Sequence, residues 1–125
     1  EQEQPDGNFP TVEVPNPEEV AVFDLAKKLA VEKGADIIIA TDPDADRIGI
    51  AYKDQHGEYI NLSGNQIGCI LAYYLLSQLK ESEKLPENAV IIKSIVSTDL
   101  VDRIAKSFGA SVESTLTGFK YIGIR

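Results

Sequence analysis

Three aspartates stand at alternate positions in the segment TDPDADR, residues 41–47, directly after the apolar run IIIA of residues 37–40. Two unit charges about 4 Å apart repel each other by about 1 kcal/mol in water and by about 4 kcal/mol at an effective dielectric near 20. A fully extended strand would hold Asp42 and Asp46 about 13 Å apart. A fold that gathers the three carboxylates therefore needs a cation and a tight loop, which Pro43 and the small Ala45 suit.

The side chains of this loop indicate what it would bind. Carboxylates are hard oxygen ligands, so Mg2+ is favoured where phosphate and water complete the coordination shell, and Ca2+ and Mn2+ are competitors. Arg47 follows the last aspartate. Its guanidinium cannot ligate a metal but matches the bidentate geometry of phosphate. We therefore expect residues 41–47 to join a divalent-cation site to a phosphate contact.

Other kinds of acidic loop make different demands. An EF-hand needs Gly at its sixth position and Glu at its twelfth, where this chain has Arg47 and Lys53, so that class is excluded. A phosphatase of the haloacid dehalogenase type is the alternative enzyme. It would use Asp42 or Asp44 as a phosphorylated nucleophile, although Asp46 stands where that type normally has Thr or Val. A non-enzymatic cation-binding module and a solvated acidic turn also stay open.

Composition limits the partners of the chain. It has 125 residues, 43% of them hydrophobic, and a net charge of −8. This acidic balance argues against nucleic acid or an anionic membrane surface as the main partner. Cys69 is the single cysteine, so no internal disulfide can form, and no apolar run approaches the ~18 residues of a membrane span. We expect a cytoplasmic protein that binds neither nucleic acid nor membrane.

Helix and strand patterns alternate along the chain. Asn16 and Pro17 give a helix-start signal and Gly34 gives a stop signal. The turn at residues 54–57 predicts a hairpin. The predicted strands are residues 37–40, 48–52, 58–62, 89–92 and 111–114, and further helices follow Ser63 and cover about residues 98–108. This alternation predicts an α/β fold with a mostly parallel mixed sheet and one hairpin.

Two lysines are candidates for contact with an anionic ligand. Lys93 ends an apolar strand, and Lys120 follows Gly118 in a short loop. Strand ends in α/β sheets open onto the usual binding crevice. Without the acidic loop, each lysine would be interpreted as an ordinary exposed side chain.

The acidic loop closely resembles the metal-binding loop of the α-D-phosphohexomutases, the phosphoglucomutase and phosphomannomutase family. Three further segments are similar to that family in the same order along the chain. PDGNFP with PNPE, residues 5–10 and 15–18, resembles the stretch upstream of the loop, and LSGNQIG, residues 62–68, resembles the start of the next domain. TGFK, residues 117–120, resembles a loop that contacts the sugar phosphate.

This resemblance implies roles for the candidate residues. Asp42, Asp44 and Asp46 would bind Mg2+, and Arg47 would be a catalytic residue that helps to place phosphate. The residues that would face the phosphosugar are Thr117, Gly118, Lys120 and Lys93. In the family, a phosphoserine donates its phosphoryl group to a hexose monophosphate such as glucose 1-phosphate or glucose 6-phosphate. The resulting bisphosphate reorients and returns its other phosphate to the serine.

The sequence also suggests a fragment of a longer enzyme. It contains no methionine and begins with Glu1. Residues 1–57 would be the C-terminal part of the second family domain and residues 58–125 the N-terminal part of the third. We expect such a fragment to be inactive by itself and, as a hypothesis, to self-associate through surfaces that meet other domains in the parent enzyme. Glucose is expected over mannose as the sugar.

Overall fold

A computed structural model describes residues 2–4 and 6–124 of the chain. The chain divides into two compact units, Glu1–Gly64 and Asn65–Arg125. The turn expected at PDGN begins with Pro5, which lies outside the described residues. The rest of that turn is closed by Asp6, whose carbonyl oxygen accepts the Phe9 N–H at 3.1 Å and whose Oδ1 accepts the Asn8 N–H at 2.9 Å.

One α-helix lies wholly within the described residues of the first unit. Helix α1 spans Asp24–Lys33 and follows a short 3-10 turn at Val20–Phe23. It starts later than Asn16 and Pro17 predict, because Glu19 is extended, with φ −76° and ψ 126°. Asn16 still caps locally, since its Oδ1 accepts the Glu18 N–H at 3.1 Å. Gly34 ends the helix as predicted, in the left-handed conformation that glycine favours.

Three antiparallel strands follow in the order β1-β2-β3: β1 is Ile37–Thr41, β2 is Ile48–Lys53 and β3 is Tyr59–Leu62. Six residues connect β1 to β2, and a connection this short allows only an antiparallel return. The predicted hairpin joins β2 to β3. Its turn is held by Asp54, whose Oδ1 accepts the N–H groups of His56 and Glu58 at 2.8 and 2.9 Å.

The core of this unit lies between α1 and one face of the sheet. Its buried members are Phe23, Ala30, Ile38 and Ala51. The opposite face of the sheet carries alternate strand residues that stay exposed although they are apolar: Ile37, Ile39, Ile48, Tyr52 and Ile60. The sheet is therefore covered by a helix on one face only within the described part of this unit.

The second unit alternates helices with a parallel pair of strands. Its elements are α2 (Gly64–Glu81, whose first residue belongs to the first unit), β4 (Val90–Ser94), α3 (Leu100–Ser107), β5 (Ser111–Thr115) and α4 (Phe119–Ile122). β4 and β5 pair in parallel because α3 returns the chain between them. The buried core members are Leu76, Ala105 and Ala110. The short helix α4 lies where the sequence predicts only a loop.

The α/β class predicted from the sequence is confirmed. The strands form two sheets, however, of which the three-stranded one is antiparallel and the two-stranded one is parallel. The sequence predicts a mostly parallel arrangement with one hairpin. The first sheet differs because its acidic connection is as short as a hairpin loop and contains no crossover helix.

Among the residues that the structure describes, no helix combines the length and the apolar character needed to cross a bilayer.

Gly49 allows β2 to approach the segment before α1. A Cβ atom at this position would overlap the carbonyl oxygen of Pro17 and would lie 3.0 Å from the Phe23 ring. We predict that Gly49→Ala lowers the free energy of unfolding by about 1–3 kcal/mol, the usual cost of overpacking. Urea titration followed by circular dichroism measures it. Gly7→Ala is the matched control, because a Cβ there meets nothing within 4 Å; equal stability of the two variants would contradict the prediction.

Candidate metal centre

The loop between β1 and β2 curls tightly. The Ala45 N–H donates to the Asp42 carbonyl oxygen at 3.1 Å and closes a turn with Pro43 at its second position. Ala45 itself is left-handed, with φ 58°. As a result, one carboxylate oxygen from each of Asp42, Asp44 and Asp46 lies within 4.8 Å of the other two. The curl that the alternate aspartates demand is present.

Asp42 is the anchored member of the three. It is only 5% exposed, and both of its oxygens accept hydrogen bonds from one residue. The Arg47 backbone N–H donates to Oδ1 at 3.2 Å and the Arg47 Nε–H donates to Oδ2 at 2.8 Å. The Arg47 side chain therefore lowers the pKa of Asp42 to about 2, and the carboxylate in turn raises the pKa of Arg47. This pair is ionised at neutral pH.

Asp44 and Asp46 complete the cluster from the solvent side, where both are exposed. The Arg47 Nε lies 3.8 Å from Asp46 Oδ1. The hydrogen bond with Asp42, and next the charge of Asp44, raise the pKa of Asp46. The crowding of negative charge that the sequence predicts thus disfavours the ionised form of Asp46. Three converging carboxylates fit a hard divalent cation, which would relieve that repulsion.

A cavity of about 620 Å3 adjoins the loop inside the first unit. Thr41, Asp42 and Pro43 form one wall, and the segment around Asp6 and Phe9 forms another. The volume is in the range of small-molecule sites. The walls contain carboxylates, so an anionic ligand would need a cation beside it.

Lys93 is the next-to-last residue of β4 in the second unit and is 8% exposed. Its Nζ donates to Asp102 Oδ2 at 2.7 Å and Asp99 Oδ1 at 3.2 Å, and to the carbonyl oxygens of Thr98 at 3.1 Å and Ser97 at 3.5 Å. The hydrogen bond with Asp102 is the main cause that raises the pKa of Lys93. The ammonium group thus binds the turn between β4 and α3.

Asp99 and Asp102, the two carboxylates that hold Lys93, are not among the residues predicted from the sequence. A signal for them exists, because Asp99 and Asp102 are three residues apart at the start of α3 and so project from the same side of the helix. A lysine at the end of the preceding strand is within reach of that side. Lys93 as a phosphosugar contact stays a prediction.

The predicted sugar-phosphate loop follows β5. Gly118 has φ 127° and precedes α4, and its carbonyl oxygen accepts the Tyr121 N–H at 3.0 Å. Thr117 is exposed, and so is Lys120, whose Nζ lies 4.9 Å from the Tyr121 ring centroid. The Ile95 N–H donates to the Thr115 carbonyl oxygen at 2.8 Å, so the first residue after β4 is hydrogen-bonded to the last residue of β5.

The candidate residues therefore fall into two groups. The three aspartates and Arg47 belong to the first unit, where the structure brings them together. The second group, in the other unit, consists of Lys93, Thr117, Gly118 and Lys120.

Comparison with protein families identifies the chain. Residues 1–57 match the family model described as phosphoglucomutase/phosphomannomutase, alpha/beta/alpha domain II, and residues 63–125 match the model for alpha/beta/alpha domain III of the same family. The chain belongs to the phosphoglucomutase/phosphomannomutase family. The alternative of a haloacid-dehalogenase-like phosphatase has no support from this family membership.

Named relatives of this family member differ in their sugar. A Haemophilus influenzae protein named "Probable phosphomannomutase" is 48% identical over 119 residues, which are 95% of this chain and 24% of the relative. A Saccharomyces cerevisiae protein named "Phosphoribomutase" is 42% identical over 129 aligned positions, covering 100% of this chain and 21% of the relative. The chain thus spans between a fifth and a quarter of the length of these relatives.

A solved structure gives the same family. The crystal structure of a phosphoglucomutase/phosphomannomutase family protein from Burkholderia thailandensis superposes with a TM-score of 0.71 at 26% identity. The match covers 95% of this chain and 23% of the other. The α/β architecture of this chain is therefore shared with a solved member of the family.

Ala45 gives a test of the loop geometry. A β-branched side chain is strained in the left-handed conformation that Ala45 adopts, whereas glycine is not. We predict that Ala45→Val lowers the free energy of unfolding by about 1–2 kcal/mol, while Ala45→Gly leaves it within about 1 kcal/mol of the unaltered chain. Urea unfolding followed by circular dichroism compares them. Equal stability of the Val and Gly variants would show that position 45 is not left-handed in solution.

The hydrogen bonds of Lys93 can be tested by their effect on the stability of the chain. We predict that Lys93→Met lowers the melting temperature by several degrees, because Asp102 and two carbonyl oxygens lose their partner. The pKa of Lys93 is raised above its ordinary 10.5, so the stabilisation is complete below that value and is lost as pH rises above it.

Thermal unfolding of both chains should therefore show a constant difference between about pH 6 and 9 that shrinks above about pH 10.5. The exposed Lys84 provides the matched control, Lys84→Met. If Lys93→Met lowered the melting temperature no more than Lys84→Met does, the proposed stabilising role of the Lys93 hydrogen bonds would be contradicted.

Proposed function

We propose that this chain carries the metal-binding loop and part of the phosphosugar site of a Mg2+-dependent phosphohexomutase. The observation that supports the proposal is the cluster of Asp42, Asp44 and Asp46, whose carboxylate oxygens lie within 4.8 Å of one another in a member of this family. The parent enzyme would interconvert glucose 1-phosphate and glucose 6-phosphate by moving a phosphoryl group between the 1- and 6-positions. The transfer would proceed through a phosphoserine and a hexose bisphosphate.

The proposed division of the chain follows the family. Residues 1–57 would be the C-terminal part of domain II and residues 58–125 the N-terminal part of domain III. The family-model matches, which end at residue 57 and resume at residue 63, support this division. The activity belongs to the longer parent enzyme in this proposal, and the isolated chain would be inactive.

The proposed roles follow from the chemistry of each side chain. The three aspartates hold the cation, with Asp42 fixed by Arg47 and with Asp44 and Asp46 approaching from solvent. When bound, Mg2+ stabilises negative charge on the phosphoryl group. Arg47 keeps an exposed edge, since 53% of its side chain is accessible, and that edge would contact phosphate.

The second unit would contribute the sugar-phosphate contacts. Thr117 and Lys120 offer exposed donors beside Gly118, which lacks a side chain and so allows the ligand to approach the backbone. Lys93 would belong to this group only if its ammonium reached the ligand from its place among the acceptors of the β4–α3 turn. The sugar is proposed to be glucose, and the names of the relatives include mannose and ribose enzymes. The cytoplasmic setting and self-association stay predictions.

Isothermal titration tests the metal site directly. Mg2+ and Mn2+ would be titrated into the unaltered chain and into Asp44→Asn, and glucose 1-phosphate would be added afterwards. We expect the unaltered chain to bind, and Asp44→Asn to lose at least about tenfold in affinity, because one of three oxygen ligands becomes a weaker amide. Asp36→Asn removes the same charge from an exposed position in the same unit and is the matched control.

The outcomes separate the alternatives. Equal weakening by Asp44→Asn and Asp36→Asn would mean that only net charge attracts the cation, against a defined site. Cation binding without any effect of glucose 1-phosphate would favour a cation-binding module over a mutase fragment. No binding at millimolar metal would overturn the proposal that this chain holds the cation by itself.

A further inference from the structure

Arg47 faces the acidic loop with one edge and solvent with the other. Its Nε–H and its backbone N–H hold the two oxygens of Asp42, at 2.8 and 3.2 Å. The side chain of Asp42 is 2% exposed, whereas that of Arg47 is 53% exposed. Arg47 is therefore bound to Asp42 through its Nε–H and its backbone N–H, while more than half of its side chain stays accessible.

This arrangement fixes the orientation of one candidate ligand before any cation arrives. A carboxylate oxygen has two lone pairs, so each Asp42 oxygen that accepts a hydrogen bond can still offer the other to a cation. Hydrogen-bond partners of metal ligands set the ligand orientation, and their loss typically reduces metal affinity 10–100-fold. Asp44 and Asp46 are exposed, and the Arg47 Nε lies farther from Asp46 Oδ1, at 3.8 Å, than from Asp42 Oδ2, at 2.8 Å.

The charge of Arg47 acts in the opposite direction. Its Nε lies 3.8 Å from Asp46 Oδ1, so the guanidinium stands close to where a cation would bind and would repel it. Two effects of opposite sign thus compete: orientation of Asp42, which strengthens cation binding, and repulsion, which weakens it. Salt and water screen the repulsion at this exposed position, whereas the hydrogen bond to the buried carboxylate is screened much less.

We infer that Arg47 is a positioning residue for the cation ligand Asp42, so that divalent-cation affinity depends on its Nε–H and not on its charge. The inference rests on the proposed function. It also assigns two tasks to one guanidinium, with Nε holding Asp42 and the Nη groups meeting phosphate. Cation and phosphate affinities would then be coupled through one side chain, each raising the other by the same factor.

The decisive experiment is Mn2+ titration calorimetry on the unaltered chain, Arg47→Gln, Arg47→Lys and the control Arg103→Gln. Arg103 is an exposed arginine of α3, so its replacement makes the same change in net charge in the unit that does not contain the acidic loop. We expect both Arg47 variants to lose at least about tenfold in Mn2+ affinity. Arg47→Lys keeps the charge but has no planar Nε–H. Arg103→Gln should bind as the unaltered chain does.

If only the charge of Arg47 mattered, its removal would strengthen Mn2+ binding. The two explanations therefore predict opposite results for Arg47→Gln. Equal or tighter Mn2+ binding by Arg47→Gln would overturn the inference, because Arg47 would then be a competing cation. Full affinity in Arg47→Lys with a loss in Arg47→Gln would overturn it too, because charge would suffice. No binding by the unaltered chain would overturn both this inference and the proposal that this chain holds the cation by itself, whereas binding with unaffected Arg47 variants would overturn this inference alone.

A measurement on the unaltered chain avoids the problem that an Arg47 variant could lose affinity because it misfolds. In the unaltered chain, nuclear magnetic resonance of the Arg47 Nε–H should show slow exchange with water, because this hydrogen is donated to a buried carboxylate. The side-chain Nε–H of Arg103 provides the internal reference. Equally fast exchange of the two groups would show that the Asp42 contact does not persist in solution and would overturn the inference.

Discussion

The ion pair between Arg47 and Asp42 is the interaction on which the acidic loop depends. Asp42 directly follows β1 and is almost fully buried. An unpaired carboxylate would be strongly disfavoured in such a buried position. Arg47 meets it from the other end of the same six-residue connection and donates to both oxygens. The start and the end of the loop are thereby tied together. This closure brings the intervening Asp44 and Asp46 close to Asp42 through contacts within the loop itself.

Much of this arrangement follows from the sequence. Three carboxylates at alternate positions after an apolar run demand a curl, and the turn around Pro43 supplies it. The sequence does not reveal that Ala45 is left-handed, because alanine has no preference for that conformation and only the closure of the loop imposes it. Nor does it separate the roles of the three aspartates. Burial distinguishes Asp42 from the others, and burial depends on how β1 packs against its neighbours.

The sequence is less informative where the contacts are longer-range. The strands and their boundaries follow local apolar patterns, but the division into an antiparallel and a parallel sheet depends on connection lengths. Lys93 illustrates the same limit. Near the end of a strand it has the pattern of a ligand contact, yet its two carboxylate acceptors lie at the start of the next helix, six and nine residues further on. A strand-end lysine and a buried structural lysine have the same local sequence.

The uncovered face of the first sheet has a thermodynamic consequence. β1 and β2 are nearly continuous apolar runs. Such runs are typical of strands buried on both faces and not of strands with one face exposed to solvent. In the described chain, α1 covers one face, and isoleucines with one tyrosine line the other. Each Å2 of that face removed from water would contribute about 25 cal/mol. The unfolding free energy of this chain alone is therefore a lower bound for the same sheet with both faces packed.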